Sequence, residues 1–443
     1  MITGRKFQIH PSAAQAKLLR GWIGCQRYIY NAKVDDMRYQ LRLRALYKAQ
    51  YPDVETPFID FSQDYSKHTK EVDFLKAIPS QILRNGAYRF MCAIKRWNKK
   101  LAKQPTRKKS YGKKSVLVTS ELFSINGNVM HLGNQKYPVG YVTINAHNSF
   151  EKPKMICISV DGNRWFVSFC NDDGLTYPTH EELLDSYVPP EEDYLLTHSV
   201  GIDRGVKINA CVSNGTTFVY SIEEQRALKA AQDKKKKYQK QMSRRFVAGP
   251  KPQSNKYYQA KASKQKAERK IRNIRANFNH KSSYALAHSE TDIIFVEELK
   301  LNNMTKAPKP KLGENGEHLP NGAKAKAGLN KAILNNGLGQ LIQFTRYKAL
   351  KNQKLVLGVP AQYTSQKCSQ CGHIEKGNRI SQSDFTCLKC GFTDNADLNA
   401  SKNIRNDGIK LLRSGHYHSN KKVQKKVRVG RCVPCRSEVQ SGR

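Results

Sequence analysis

Apolar residues recur with a helical period through most of the first hundred residues. The stretch R-K-F-Q-I-H before Pro11 predicts one short strand, and Ser12 followed by Gln15 forms a capping box that starts a long helix. That helix is expected to run to about Ala49, and a second helical pattern spans residues 79–97. The beginning of the chain is therefore predicted to be mainly helical.

From Ser115 to Asn171 the apolar period changes to two. Four segments alternate in this way: S-V-L-V-T-S, V-G-Y-V-T-I, M-I-C-I-S-V and R-W-F-V-S-F. Turns that contain Asn-Gly, Asp-Gly-Asn or proline separate them, which predicts a small antiparallel barrel or sandwich. Residues 172–197 are acidic and contain prolines, so we expect a linker there.

A second arrangement of strands and helices begins at His198. Three short strands at meander spacing precede two long helical patterns over 223–281. The strand T-D-I-I-F-V-E-E-L, a helix and the strand K-L-V-L-G-V-P follow, which predicts a mixed α/β sheet with two insertions. Between them, residues 302–328 form a Lys-, Gly-, Pro- and Asn-rich stretch that we expect to be a mobile loop.

The chain is strongly basic. It contains 77 Lys and Arg residues against 36 Asp and Glu, a formal net charge of +41. Such an excess indicates a polyanionic partner, and nucleic acid is the natural one. An anionic membrane is the alternative, but no apolar run approaches the roughly 18 residues of a spanning helix and no signal peptide precedes Met1. We therefore expect no membrane contact.

The positive charge is concentrated in two places. Residues 223–281 carry 19 Lys or Arg against 4 Asp or Glu, a net +15, which is too basic for a self-contained helix pair. The second concentration of positive charge is the stretch 99–114, and either a solvated face or a phosphate-contacting edge explains its charge. Candidate nucleic-acid contacts in these segments are Lys108, Lys109, Arg244, Arg245 and Lys281.

Four cysteines form two C-x-x-C pairs, Cys368 with Cys371 and Cys387 with Cys390. This spacing is that of a zinc ribbon with one structural Zn²⁺, and the glycine after each pair lets the backbone turn back. The other cysteines form no disulfide framework, which is typical of a reducing compartment. A second zinc site in the tail, from His416, His418, Cys432 and Cys435, stays open.

Three carboxylates stand at the ends of predicted elements. Asp203 follows an apolar strand and precedes Arg204-Gly205, Glu297 ends a buried strand, and Asp397 opens a short helical pattern after the ribbon. Each carboxylate alone is weak evidence for a metal site, because a role in a turn or as a helix cap explains it. Together, in a polycationic protein, they predict oxygen ligands for hard divalent cations and phosphodiester hydrolysis by two metal ions.

Five motifs carry a family resemblance. In chain order they are G-I-D-R-G, V-E-E-L-K, Y-T-S-Q-K-C-S-Q-C-G, C-L-K-C-G and A-D-L-N-A-S-K-N-I. As a set they resemble the TnpB family, the RNA-guided nucleases carried by insertion sequences and related to compact type V CRISPR effectors. The similarity extends to F-Q-I-H-P-S-A-A-Q, P-S-Q-I-L-R and G-N-R-W-F-V-S-F, and thus to nearly the whole chain up to about residue 408.

The resemblance implies a multidomain fold: an α/β RuvC-like nuclease domain of the RNase H fold, a wedge β-barrel, a helical recognition lobe and a zinc ribbon. The implied boundaries are 1–10 for the first barrel strand, 11–114 for the recognition lobe, 115–197 for the barrel and linker, 198–365 for the nuclease with its basic helical insertion 223–281, 366–392 for the ribbon, 393–408 for the last nuclease motif and 409–443 for a disordered basic tail.

The resemblance also implies an activity and its site. Asp203, Glu297 and Asp397 take the catalytic positions and bind two Mg²⁺ ions, for which Mn²⁺ substitutes. A guide RNA from the end of the element pairs with double-stranded target DNA, while Ser80 and Gln81 are candidates for reading a short motif beside the target. The loop 302–328 is a candidate lid, and a cytoplasmic prokaryotic protein, monomeric and nucleoid-associated on DNA, is expected.

Three alternatives remain at this level. A cleavage-deficient RNA-guided DNA-binding repressor is disfavoured because all three carboxylates are present. A transposase in its own right would need a catalytic Tyr with a metal-binding His pair, and the predicted folded portion has no such constellation. A compact CRISPR effector differs from TnpB in genomic context rather than in sequence.

Overall fold

The computed structural model describes residues 2–56, 61–62, 64–70, 72–172, 174–187, 191–249, 252–415 and 417. It divides into two compact units, one up to Leu175 and one from Thr176 onward. Both contain helices and sheets, as the mixed pattern of the sequence predicts. The cysteines and histidines of the candidate tail zinc site lie outside the described residues. No helix in the described ranges is long and apolar enough to cross a membrane.

The first unit consists of a helical part and a sheet. Its elements are β1 (Ile2–Ile9), α1 (Ala13–Gln50), α2 (Asp73–Lys76), α3 (Ser80–Asn98), β2 (Lys114–Thr119), β3 (Phe123–Asn126), β4 (Val129–Gly133), β5 (Pro138–Asn145), β6 (Met155–Asp161) and β7 (Arg164–Asp172). The capping box is present, since the Ser12 side chain accepts from Gln15 N–H and the Gln15 side chain from Ser12 N–H. The long first helix follows the predicted bounds within a residue or two.

The sheet of the first unit has seven antiparallel strands in the order β2-β6-β7-β1-β5-β4-β3. Every strand contributes inward side chains to one core, among them Phe7, Val118 and Phe169, and α1 adds Trp22. The short hairpin β3–β4 was not predicted as a pair of strands. Its strands are four and five residues long around Gly127, where φ is +54°, so their alternation is too brief to detect.

The second unit is built on a five-stranded sheet. Its elements are α4 (His180–Asp185), α5 (Glu192–His198), β8 (Ser199–Asp203), β9 (Ala210–Val212), β10 (Thr217–Phe218), α6 (Ile222–Arg245), α7 (Asn255–Ala287), β11 (Ile293–Glu297), α8 (Leu301–Met304), β12 (Lys311–Leu312), β13 (His318–Leu319), α9 (Ala323–Asn336), α10 (Leu338–Lys351), β14 (Leu355–Val359), β15 (Asp384–Thr386), β16 (Thr393–Asn395) and α11 (Ala396–Arg413). The sheet order is β10-β9-β8-β11-β14.

The three strands β8, β11 and β14 run parallel, with β11 between the other two, and are covered on both faces. Along β11, Ile293 and Phe295 belong to a core shared with α11, whereas Ile294 and Val296 belong to a core shared with α7 and α10. A parallel strand buried on both faces is expected to be apolar throughout, and I-I-F-V is. The mixed α/β sheet predicted from the sequence is therefore present.

Helix α11 lies unusually close to the sheet. A Cβ on Gly201 of β8 would stand 2.1 Å from the carbonyl oxygen of Ser401, and a Cβ on Gly408 would stand 2.2 Å from the ring of Phe295. These two glycines remove the side chains that would hold helix and strand apart. The first glycine of G-I-D-R-G, Gly201, is therefore required by the packing of β8 against α11.

Two predicted loops contain regular structure. The expected linker 172–197 contains α4 and α5, and their Leu183, Leu184 and Leu195 are buried in the core of the second unit. The expected loop 302–328 contains the small hairpin β12–β13, and α9 begins within it at Ala323. Both helices of the linker span fewer than eight residues, about two helical turns. An apolar period of that length gives a weak helical signal, and the acidic residues and prolines of the segment therefore favoured a linker.

Candidate active site

Asp203 and Glu297 lie at the carboxyl ends of neighbouring parallel strands. Val296 of β11 is opposite Ile202 of β8, and the two carboxylates follow directly. Side chains alternate between the faces of a strand, so Asp203 shares a face with Gly201, and Glu297 shares one with Phe295. Those two residues contact α11, and both carboxylates therefore project from the α11 face of the sheet.

Asp397 completes the group from the first turn of α11. Asn395 caps this helix, and its side chain accepts from the backbone N–H groups of Asp397 and Leu398 at 3.0 and 3.2 Å. The cap fixes where the helix begins, and hence where the Asp397 carboxylate stands relative to β8 and β11. The structure thus brings all three sequence-predicted carboxylates to one end of one sheet.

The negative charge of this group is only partly compensated by nearby cations. Burial raises the pKa of Asp203 to about 7, with further contributions from the charges of Glu297 and Asp397. Burial also raises the pKa of Glu297, while a hydrogen bond from Thr364 and the Arg204 charge oppose that rise. A hard divalent cation stabilises a buried carboxylate such as Asp203, whose charged form is disfavoured by burial and by neighbouring carboxylates, so these residues fit Mg²⁺ ligation.

The three carboxylates do not converge fully. Within the described ranges they do not form a group whose ligand oxygens all lie within 4.8 Å of one another. Asp397 is instead paired with Arg379 of the ribbon, whose Nη2 lies 3.3 Å from the Asp397 Oδ1. Arg379 is a site residue that the sequence analysis missed, because 18 residues and a zinc knuckle separate it from Asp397.

Glu297 is held by the start of the ribbon segment. The Thr364 hydroxyl donates to Glu297 Oε1 at 2.7 Å, and both residues are buried. The Thr364 carbonyl in turn accepts from the Asn403 side chain of α11 at 3.0 Å. The position of Glu297 is therefore linked through Thr364 to the helix that carries Asp397. The motif Y-T-S-Q-K-C contains this threonine, but nothing in it indicates the partner.

Arg204 links the same strands from the opposite side. Its guanidinium donates to the carbonyl oxygens of Glu297 and Leu338, and burial lowers its pKa to about 10. These contacts tie the end of β8 to the end of β11 and to the start of α10. The arginine of G-I-D-R-G is thus a structural cation next to the carboxylates.

The four ribbon cysteines lie together. Among the described residues they are the one group of His, Cys, Asp or Glu side chains with all ligand atoms within 4.8 Å of one another. The Sγ atoms of Cys368 and Cys390 are 3.7 Å apart, and those of Cys371 and Cys387 are 3.5 Å apart. A tetrahedron with Zn–S bonds of about 2.3 Å has edges of about 3.8 Å, so the four thiols fit one Zn²⁺.

The two knuckles share one backbone geometry. The amides of Gly372 and Gly391 donate to the carbonyls of Cys368 and Cys387, each at 3.0 Å. Both glycines have positive φ, +75° and +71°, as the sequence analysis expects of the residue after each pair. Asn399 of α11 then binds the first knuckle, accepting from Ser369 N–H at 3.0 Å. The ribbon is therefore fixed directly to the helix that carries Asp397.

The predicted nucleic-acid contacts lie on elements of both units. Ser80 begins α3 and is exposed, with Gln81 next to it. Arg244 is exposed and Arg245 half-buried at the end of α6, and Lys281 is exposed on α7. The remaining two, Lys108 and Lys109, line a cavity of the first unit with other cations.

Comparisons with known proteins extend over most of the chain. Residues 186–307 match the family model OrfB_IS605, described as "Probable transposase", and residues 339–404 match the TNB domain of Cas12f1-like proteins. A model described as a helix-turn-helix domain of the same OrfB_IS605 group matches residues 1–40, where the structure has β1 and part of the uninterrupted helix α1.

Some relatives match nearly the full length of the chain, and others match a short segment of it. "Putative RNA-guided DNA endonuclease InsQ" of Escherichia coli (strain K12) is 28% identical over 419 residues, 93% of each chain. Cas12f1 of Sulfoacidibacillus thermotolerans, a CRISPR-associated endodeoxyribonuclease, is 52% identical over 58 residues, 13% of this chain and 14% of its own. A solved Cas12f1–sgRNA–target DNA complex aligns with a TM-score of 0.47 at 13% identity, covering 92% of this chain and 99% of that one. The OrfB matches and the full-length likeness to InsQ bear out the predicted resemblance to the TnpB family of insertion-sequence proteins.

Proposed function

We propose that the protein is an RNA-guided DNA endonuclease of an insertion sequence, cleaving target DNA beside a short recognised motif at a single nuclease site. The observation that carries this proposal is the position of Asp203, Glu297 and Asp397 at one end of one sheet, with the pKa of Asp203 raised by burial and further by the other two charges. The likeness to InsQ over 93% of both chains supports the guided activity.

The topology supports a finer description of the fold. Three parallel strands, extended beyond β8 by the antiparallel strand β9 and then by β10 in the order β10-β9-β8-β11-β14, correspond to an RNase H-like nuclease domain. The seven-stranded sheet around one core is then the wedge barrel, and α1 to α3 are the recognition lobe. The helix pair α6–α7 is the basic insertion, with one buried residue in the 24-residue α6. Such a helix is suited to lie along a phosphate backbone.

Asp203, Glu297 and Asp397 would hold the metal ions that this chemistry needs. Two Mg²⁺ ions, or Mn²⁺ in their place, would activate the attacking water and neutralise the leaving 3′-oxygen. The chain's own residues hold the ligands in place: Thr364 and Arg204 position Glu297, and the Asn395 cap positions Asp397. Arg379 neutralises Asp397 in the structure, and its guanidinium is suited to a substrate phosphate once the carboxylate binds metal.

Zinc has a separate, structural role in this proposal. The four thiolates would hold one Zn²⁺, which closes the ribbon on itself. Because Asn399 and Asn403 bind the backbone of Ser369 and Lys367 at the first knuckle, that closure also fixes α11 and its Asp397. Loss of zinc is therefore expected to disturb the nuclease site indirectly.

The partners follow from charge and family. A net charge of +41 suits a guide RNA paired with double-stranded target DNA. We propose that the guide comes from the end of the element, that the protein acts as a monomer in the cytoplasm, and that Ser80 and Gln81 contact the target-adjacent motif. A compact CRISPR effector is the second candidate, but the Cas12f1 match covers 13% of the chain against 93% for InsQ.

The direct test is purification with the native flanking transcript. The bound RNA is sequenced, and a plasmid matched to its guide segment is incubated with Mg²⁺ and either the wild type or Asp203→Ala. We expect a defined guide RNA with both proteins and cleavage with the wild type alone. Absence of bound RNA would refute the guided activity, and undiminished cleavage by the variant would refute the site.

A further inference from the structure

A cavity of about 440 Å³ in the first unit is lined by positive charge. None of the described residues that line it is acidic. Arg107 is paired with Asp35 at 2.7 Å, on the exposed side. The cationic side chains around the cavity are Arg27, Arg89, Arg107, Lys108, Lys109 and Lys113. Five of them thus face one space without a neutralising carboxylate from the described chain.

Lys108 is held in this cavity by its backbone. Its N–H donates to Asn31 Oδ1 at 2.7 Å, and its carbonyl accepts from Asn31 Nδ2 at 3.1 Å. Its Nζ lies 3.5 Å from the centre of the Tyr30 ring. A lysine fixed at its backbone and at its ammonium group is preorganised, unlike a solvated surface lysine.

Arg89 forms a second fixed cation. Its Nη1 donates to Gln26 Oε1 and to the Ser115 carbonyl, and its Nη2 donates to Ser115 Oγ, each at 3.0 Å. Gln26 is 1% exposed and its amide binds the carbonyls of Ile82 and Leu117. A guanidinium has five N–H donors, so three are used for positioning and two remain for a ligand.

Keeping these charges together is costly in the free protein. Burial lowers the pKa of Lys108 to about 7, and the nearby Arg89 charge lowers it further. A purely structural role would be better served by an apolar side chain of similar shape, because a partly buried cation without an anionic partner destabilises a fold. The arrangement is explained if an anion enters the cavity when the protein is in use.

We propose that this cavity binds a phosphate group of a nucleic-acid backbone, with Lys108 and Arg89 as its central ligands. The choice of a phosphodiester over another anion rests on the proposed function, while the cavity itself does not. The phosphate belongs either to the guide RNA or to the target DNA. In both cases the bound phosphate makes one or two ionic contacts at a fixed point of the protein, and these contacts are independent of base sequence.

Binding measurements on nuclease-inactive protein test this site. Fluorescence anisotropy with single-stranded RNA and with duplex DNA of equal length is recorded for Asp203→Ala and for the same protein with Lys108→Met. Lys108→Met keeps the stem that packs on Tyr30 and removes the charge. Lys136→Met, at an exposed lysine before β5, is the matched control that removes equal charge elsewhere.

We expect Lys108→Met to weaken binding about ten- to hundredfold for the probe that supplies the phosphate, and to lower the salt slope by about 1. A loss on RNA alone assigns the site to the guide, and a loss on DNA alone assigns it to the target. The melting temperature should stay equal or rise, because a partly buried charge without an anionic partner is removed.

Equal losses in Lys108→Met and Lys136→Met would overturn the proposal, since bulk charge would then explain both. Unchanged binding to both probes would overturn it as well, and so would a melting temperature that falls together with the affinity. None of these results depends on cleavage. Failure of the nuclease proposal therefore shows in the plasmid assay and leaves the binding comparison intact.

Discussion

Thr364→Val removes one hydroxyl from the support of the nuclease site. In the structure that hydroxyl donates to the buried Glu297 Oε1 at 2.7 Å, while its carbonyl bond to Asn403 involves the backbone and is retained. A hydrogen bond to a charged group contributes about 1.5–3 kcal/mol, which corresponds to a factor of about ten to a hundred in an equilibrium. Residues that orient a metal ligand typically have effects of this size on metal affinity.

The assay is plasmid cleavage as a function of Mg²⁺ concentration. We expect the half-saturating Mg²⁺ concentration to rise about ten- to hundredfold, with most of the maximal rate recovered at saturation. The Thr364 bond lowers the pKa of Glu297, so its loss raises that pKa and leaves less ionised carboxylate at a given pH. The deficit should therefore be largest at low pH and shrink as the pH rises.

The matched control is Thr345→Val. Thr345 is equally buried, but its hydroxyl donates to the Leu341 carbonyl within α10 and touches no carboxylate. It should change the free energy of unfolding by a comparable amount and leave the Mg²⁺ dependence unaltered. An unaltered Mg²⁺ dependence in Thr364→Val, or a rate that no Mg²⁺ concentration restores, would refute the assigned role of Thr364.

Three further outcomes follow from the site. Gly201→Ala places a Cβ 2.1 Å from the Ser401 carbonyl, so it should destabilise the fold by about 1–3 kcal/mol in thermal unfolding, whereas Gly21→Ala, with open space around it, should not. Cys387→Ser should lower the zinc content, the melting temperature and nucleic-acid loading. Asp397→Ala should retain zinc and nucleic-acid binding and abolish cleavage. Loss of nucleic-acid binding in both variants would contradict a structural role for zinc that is separate from the catalytic role of Asp397. Arg379→Ala removes the cation paired with Asp397, so calorimetry should find tighter Mg²⁺ binding to the free protein, and weaker binding would contradict this.

Local patterns in the sequence predicted much of the fold. The capping box at Ser12, the change of period at Ser115 and the paired cysteines each depend on a few neighbouring residues, and each is present in the structure. The ends of apolar strands also indicated Asp203 and Glu297. A strand's last residue is recognisable in the sequence, and parallel strands end at the same edge of a sheet.

The contacts between distant segments could not be predicted in this way. Thr364 and Glu297 are 67 residues apart, and no local signal connects a threonine before a ribbon with a carboxylate on another strand. No local signal in the sequence connects Arg379 with Asp397 either. The helices α4 and α5 were missed because three buried leucines among acidic residues and prolines resemble a linker until the core that buries them is known.

Redirected cleavage tests the central proposal most directly. The guide segment of the co-purifying RNA is replaced with an unrelated sequence, and plasmids matched to the old and the new sequence are incubated with wild type and with Asp397→Asn. We predict that the wild type cuts the new target alone, and that Asp397→Asn binds that target without cutting it. Continued cutting of the old plasmid, or cutting by Asp397→Asn at the wild-type rate, would contradict an RNA-guided nuclease that acts through these three carboxylates.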